Sequence, residues 1–236
     1  MILSGHQPVY LPGIIFFNKI ALSDAFMFVG HCQYTQKSWQ TRNRIRLGEV
    51  EHWLSVPVKK SGRFGQSIND TEILDDHWKK KHLGSIRQAY AKRPYFDQYY
   101  PELETLILKS SDTLGSLNVA LIRRIVGWLE LPTVILDSHD YPIAGNKTDM
   151  LISMCAAARA DHYLSNEGSR DYVDEKAMAD AAIQHCWQIF EHPVYEQGRP
   201  FIENLSVIDL LFNVGPPARE MVKACGRIEL GSYCPG

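Results

Sequence analysis

Two stretches of this sequence concentrate side chains able to bind anions and move protons. The first, Gly5-His6-Gln7-Pro8-Val9-Tyr10-Leu11-Pro12, sets an imidazole, an amide and a phenol between a glycine and two prolines. An imidazole in such a turn can carry a proton or donate to a phosphate, and an amide can polarise a carbonyl. His6 and Gln7 are therefore candidate catalytic residues, and Tyr10 and the nearby Lys19 candidate substrate contacts. The second stretch runs from Gln33 to Arg46, QYTQKSWQTRNRIR. Arginine forks suit bidentate phosphate binding, and aromatic faces suit a base or a sugar. Gln33, Tyr34, Lys37, Trp39, Arg42 and Arg44 are candidate contacts there, with Asn43 as a second candidate amide. If a strand begins near Arg42, then Arg42, Arg44 and Arg46 share one face, and Asn43 and Ile45 take the other. Each stretch also has a plain reading: a rigid turn with a structurally bonded histidine, and a charged edge strand guarded against aggregation.

Two weaker features follow. Asn146-Lys147-Thr148-Asp149 opens a helix after Gly145, where Lys147 could reach a phosphate and Thr148 could bind or cap. Ser165-Asn166-Glu167-Gly168-Ser169 follows an apparent strand, which makes Ser165 a further candidate. The glycines form neither a dinucleotide fingerprint nor a P-loop, and no H-E-x-x-H or G-x-S-x-G occurs. No histidine pair has ligand spacing, so no metal site is expected.

The elements that must position these residues follow from periodicity. Met1–Ser4 reads as a buried strand, 14–22 as a helix and 25–29 as a second strand closed by Gly30, a βαβ pattern. TRNRIRL and HWLSVPV flank GEVE as a β-hairpin, and KKSGRFGQSIND reads as a mobile surface loop. Three helical pieces follow: 77–91, then 101–108 with Pro101 in its first turn, then 113–129 capped by Asp112. Strands at 133–136, 162–164 and 183–190 then alternate with helices at 147–159 and 174–182, and two more helices cover 207–213 and 217–225. The expected fold is α/β: an open, mostly parallel, Rossmann-like sheet carrying a β-hairpin and a helical insertion at about 76–130. The domain expectation is a single unit over 1–230, with GSYCPG (231–236) as a frayed tail.

Composition bounds the partners. The 236 residues carry a net charge of −2, but residues 1–110 hold +5 and the remainder −7. The near balance argues against a dedicated nucleic-acid binder, and the basic half is suited to a smaller anion. Five scattered cysteines without a C-x-x-C pair, no basic-then-apolar leader and no long apolar run predict a cytoplasmic protein without a membrane span.

HQPVYLP, FFNKI, the GHCQYTQKSWQTRNRIR block and LSVPV, followed by HWKKKH, NKTDMLI, HYLSNEGSRDYVD, VYEQG and LSVIDLLFNVG, resemble the WbqC-like protein family in order along nearly the whole chain. The resemblance implies bacterial O-antigen or related polysaccharide biosynthesis, and glycine or aminoacyl transfer to amino sugars. In that family an acidic pair usually precedes Gln-Tyr, where this chain has Gly30-His31-Cys32. The mechanistic analogy is to nucleotidyltransferase-like enzymes that activate a carboxylate as its adenylate. The expected function is an acyl or aminoacyl transferase or ligase forming an amide on a nucleotide-linked amino sugar, with ATP or an activated acyl donor as co-substrate. The alternatives are a nucleotidyl- or glycosyltransferase using the same basic pocket, and a non-catalytic nucleotide-sugar-binding protein.

Overall fold

The computed structural model describes residues 1–235. Its centre is a six-stranded sheet in the order β5-β2-β1-β6-β7-β8, formed by β1 (Ile2–His6), β2 (Ala25–Phe28), β5 (Val134–Asp137), β6 (His162–Asn166), β7 (Gln184–Phe190) and β8 (Gly226–Leu230). All pairs are parallel except β7 with β8. From β1 the chain winds outward to β2 and β5, then returns to the other side of β1 for β6 and β7. The strand order therefore reverses between β1 and β6, which is where ligands enter open α/β sheets.

The unbroken apolar run of β2 follows from burial on both faces of a parallel sheet. Phe26 and Phe28 point into one hydrophobic cluster, and Ala25 and Met27 into the other. The first cluster gathers α1 (Ile14–Ala21), α2 (His77–Tyr90), α3 (Phe96–Leu108), α4 (Leu114–Trp128), α7 (Val207–Val214) and α8 (Ala218–Ala224). The second holds α5 (Lys147–Ala158) and α6 (Glu175–Asp180) against the opposite face. Burying one such phenylalanine contributes about 2–3 kcal/mol, so the aromatic face of β2 anchors the helical layer.

The hairpin is a separate two-stranded sheet of β3 (Arg42–Leu47) and β4 (Val50–Ser55), closed at Gly48 with φ +66°. Arg44 stands opposite Trp53 and Arg46 opposite Glu51.

Three expectations change. The second helix of the insertion starts at Phe96, five residues early, so Pro101 lies inside it rather than in its first turn. Burial of Phe96, Tyr99 and Tyr100 outweighs the hydrogen bond that proline cannot donate. Thr113, not Asp112, caps α4, accepting from the Ser116 amide. Gly231 and Tyr233, in the segment expected to fray, are held to β7: the Gly231 amide donates to the His185 carbonyl and Gln184 Nε2 donates to the Tyr233 carbonyl, and just before them the sheet edge is closed by an unexpected strand, β8. Its exposed alternation carries too little apolar signal to be read as a strand. No described helix is long and apolar enough to cross a membrane.

Candidate functional site

At the switch point, the carboxyl ends of β1 and β6 and the start of α5 surround a cavity of about 340 Å³. Its wall includes His6, Gln7, Lys19, Lys147, Ser165 and Asn166, with no aspartate or glutamate. The five candidates among these, far apart in sequence, are brought together because β1 and β6 are neighbours. A second cavity of about 380 Å³ lies against the hairpin and includes Phe16, Trp39, Asn43, Arg44 and His192. His6 and Asn166 line both, so they form the partition between a cationic chamber and a largely apolar one.

His6 is fixed by its neighbours. Its Nδ1 lies 2.7 Å from the Gln7 carbonyl, and a carbonyl only accepts, so Nδ1 carries the proton and Nε2 keeps its lone pair. Phe16 packs edge-on against the ring at 5.2 Å. Burial, then the neighbouring Lys19 charge, lowers its pKa to about 4, so the imidazole is neutral at pH 7. Gln7 is held by Gln40, whose Nε2 donates to Gln7 Oε1 at 2.7 Å. Burial pushes the neighbouring Cys32 thiol up, with the Gln7 side chain acting in the opposite direction.

Lys19 is reached through the unusual composition of α1, where apolar residues surround one buried amine. Its Nζ donates to the Gly5 carbonyl at 3.0 Å and to Asn166 Oδ1 at 2.9 Å, and among the described residues no carboxylate pairs with it. Burial lowers its pKa to about 7. Lys147 is exposed at the cavity mouth as the first residue of α5, with a left-handed φ of +48°. That conformation costs about 1–2 kcal/mol for a residue with a Cβ, at the point where the start of α5 borders the cavity. Ser165 Oγ hydrogen-bonds His185 Nε2 at 2.9 Å, and burial lowers the His185 pKa to about 4.

Other candidates are held in structural roles. Tyr10 is fully buried and bonds its hydroxyl to His82 Nδ1. Asn43 lines the second cavity, but its Nδ2 donates to the Tyr10 and Leu11 carbonyls and its Oδ1 accepts from the Arg44 amide. With both ends committed it holds the HQPVYLP turn and has no donor for an acyl carbonyl, which corrects the catalytic expectation for it. Thr148 bonds to the Tyr172 carbonyl and the Asp174 amide, fixing the start of α6 rather than a substrate. Gln33 and Tyr34 line a separate surface depression with Lys60, Arg63 and Phe64. Lys37 is exposed and borders no cavity described here.

The basic strip is divided. Arg42 lies over the Trp53 ring at 4.6 Å and stays outside both chambers. Arg44 pairs with Glu51 at 2.6 Å and donates to the Asn204 carbonyl, yet still reaches the second chamber beside Trp39. Arg46 is buried beneath the 197–200 segment, donating to Gln197 Oε1 and the Arg199 and Pro200 carbonyls.

Asn166, His185 and His192 were not among the site residues expected from sequence. Asn166 had a signal, since it ends a strand; His185 and His192 sit in apolar or loop contexts without one. The Gly30-His31-Cys32 departure has a packing counterpart. A Cβ at Gly30 would meet the Asn69 side chain, and His31 Nδ1 bonds Ser138 Oγ, so the glycine and the histidine of this segment each have a packing partner. Among the described residues no three His, Cys, Asp or Glu side chains are grouped as metal ligands would be.

A protein of Mycobacterium tuberculosis, described as Uncharacterized protein Rv1507c, is 33% identical over 224 residues, covering 93% of this chain and 96% of the relative. No solved structure matches the chain. The WbqC-like protein family matches residues 7–221, from the partition turn through to α8, and the chain belongs to that family.

Proposed function

We propose that the protein transfers an acyl or aminoacyl group, glycine being the leading case, to the amine of a nucleotide-linked amino sugar. The observation that carries this reading is the position of His6 on the wall between two chambers of opposite character. The cationic chamber, with Lys19, Lys147 and no carboxylate, suits the phosphates of the nucleotide-linked substrate. The second chamber, lined by Val9, Ile14, Phe16 and Trp39 with Arg44 at its edge, suits the sugar or the acyl donor. His6 Nε2, neutral and with a free lone pair, takes the proton released as the amine attacks the acyl carbonyl, and the donor's activating group leaves with the electron pair of its bond to that carbon. The amide of Gln7 polarises that carbonyl, a role Asn43 is not free to share.

The test is mass analysis of nucleotide-linked amino sugars incubated with the purified protein and glycine, with and without ATP or an aminoacyl donor. A mass increment of one acyl or aminoacyl group is expected, and its absence across the panel overturns the reading. The carboxylate-free chamber at the switch point also favours a nucleotidyl- or glycosyltransferase as the second reading. That reaction releases pyrophosphate or a nucleoside diphosphate and forms no amide.

A further inference from the structure

Most buried lysines answer to a carboxylate; Lys19 does not. Only 4% of it is exposed, yet its Nζ faces two neutral acceptors, the Gly5 carbonyl and Asn166 Oδ1, in the wall of a chamber that contains no acid. An uncharged amine has two N–H bonds, and these two acceptors satisfy both. The third position of the nitrogen is then a lone pair, which becomes an N–H when the amine is charged. We infer that Lys19 stands uncharged in the free protein and gains a proton when a doubly charged oxyanion enters the chamber, so that the anion binds together with a proton. The inference rests on the reading that this chamber takes the phosphate end of the substrate, and it names the ligand chemistry as a phosphomonoester or diphosphate group.

The surrounding groups support an amine whose charge waits for a ligand. Around it stand His6 from β1, Tyr163 from β6, Lys147 from α5, and Cys32 and Tyr172 from connecting segments, all on the chamber wall. His185 on β7 lies behind Ser165, and Arg170 packs over Trp187 beyond it. Burial keeps both histidines neutral, and it holds the Tyr163 hydroxyl and the Cys32 thiol in their protonated forms. Toward β7 and α8, the neighbouring Asn18 accepts from Gln188 Nε2, donates to the Val222 carbonyl and supplies no charge. The buried position opposes a cation at Lys19. An entering dianion reverses that balance, because an opposite charge within a few ångströms favours the charged amine. The step is a proton taken from solvent onto Nζ, with no bond to carbon made or broken. A lysine titrating near neutrality also leaves a donor poised beside His6 once the anion is bound.

The experiment is nuclear magnetic resonance of the full chain with 13C-labelled lysine, following each ε-methylene signal with pH, without and with sulfate. Sulfate is doubly charged and does not itself titrate between pH 6 and 9. One signal is expected to titrate near pH 7 without the ion, to be lost in Lys19→Arg, and to move up by a pH unit or more at saturating sulfate. Sulfate affinity should correspondingly fall about tenfold per pH unit above that midpoint. Lys147→Gln should weaken sulfate binding while leaving the neutral-range signal in place. If every lysine titrates above pH 9 in the free protein, or if saturating sulfate leaves the midpoint unmoved, the inference is overturned while the anion site stands. If sulfate, phosphate and pyrophosphate all fail to bind at pH 6, the anion reading of the chamber falls and the inference with it. Should Lys19→Arg fail to fold, Asn166→Ala, which removes one of the two acceptors, must shift the same signal.

Discussion

The switch-point chamber and the β3–β4 hairpin both looked like anion sites in sequence, and they reach opposite ends. The hairpin strip has more positive charge, but nearly all of it is answered within the protein. Arg46 is buried on three oxygen acceptors, Arg44 is paired with Glu51, and Arg42 rests on Trp53. The chamber has fewer basic groups, yet among the described residues neither Lys19 nor Lys147 has a carboxylate in the wall to pair with it. Charge density along a chain therefore says little about a binding site until each cation's acceptors are known. Arginine's five donors are readily satisfied by carbonyls, whereas a lysine among neutral acceptors retains a direction for a ligand.

The largest effect that separates the two regions is catalytic. His6→Ala should lower turnover in the amide-forming assay by about 10²–10⁴-fold, the usual worth of a positioned proton acceptor. The circular dichroism spectrum should be unchanged, because His6 is half-buried and its one protein hydrogen bond is to a neighbouring carbonyl. Equal loss of turnover and of folded signal would make His6 a structural residue and remove the partition argument.

Acid should act next most strongly, through groups on both sides. His82, beneath Tyr10 in the helical layer, and His185, beneath Ser165 in the sheet, are both buried, and burial lowers each pKa from 6.5 to about 4. Their unfolded forms bind protons first as pH falls, so each contributes stability that is complete above pH 6.5 and is lost on acidification toward pH 4. By pH 5 the loss is about 2 kcal/mol for each. Asp209 opposes it: burial raises its pKa despite hydroxyl donors from Tyr90 and Tyr195, so it binds a proton more readily folded than unfolded. Urea unfolding at pH 7 and pH 5 should show a lower midpoint at pH 5, and Asp209→Asn should make the decline steeper. A midpoint independent of pH in Asp209→Asn as well, where the opposing carboxyl is gone, would mean that neither histidine is held neutral.

Asn43→Ala should follow at about 2–3 kcal/mol of destabilisation, since it leaves the Leu11 carbonyl and the Arg44 amide without their partner. Per folded molecule, turnover should stay within about threefold of the parent. A larger specific loss would return Asn43 to the reaction, against its hydrogen bonding.

Most strands and helices are legible because each carries its own periodicity or length: AFMF, a short apolar run closed by Gly30, reads as a strand buried on both faces, and the hairpin is marked by alternation around Gly48. The start of α3 was hidden because proline marks a boundary more loudly than three aromatic residues mark a buried face. The tie of the C-terminal segment was hidden because its bonds run to main-chain groups on β7, far away in sequence. At the site, the chemical types of His6, Lys19, Lys147 and Ser165 were readable, as was their position at strand ends. Their convergence follows from the β1–β6 pairing, and the withdrawal of Asn43, Tyr10 and Thr148 depends on carbonyls and side chains brought in by the fold.

The smallest predicted difference tests the comparison most directly. Lys147→Gln and Arg42→Gln each remove one exposed or half-exposed positive charge from the basic edge of the molecule. If net positive charge alone attracts the ligand, the two substitutions weaken anion binding equally, and more so at low salt. If free cations in the chamber do so, Lys147→Gln weakens binding of pyrophosphate about tenfold, while Arg42→Gln changes it less than twofold. The reason is local: Lys147 opens onto the chamber at the head of α5, whereas the Arg42 guanidinium is stacked on Trp53 outside it. Calorimetry at two ionic strengths separates the outcomes, because a contact within the chamber is screened less than an exposed charge acting from a distance.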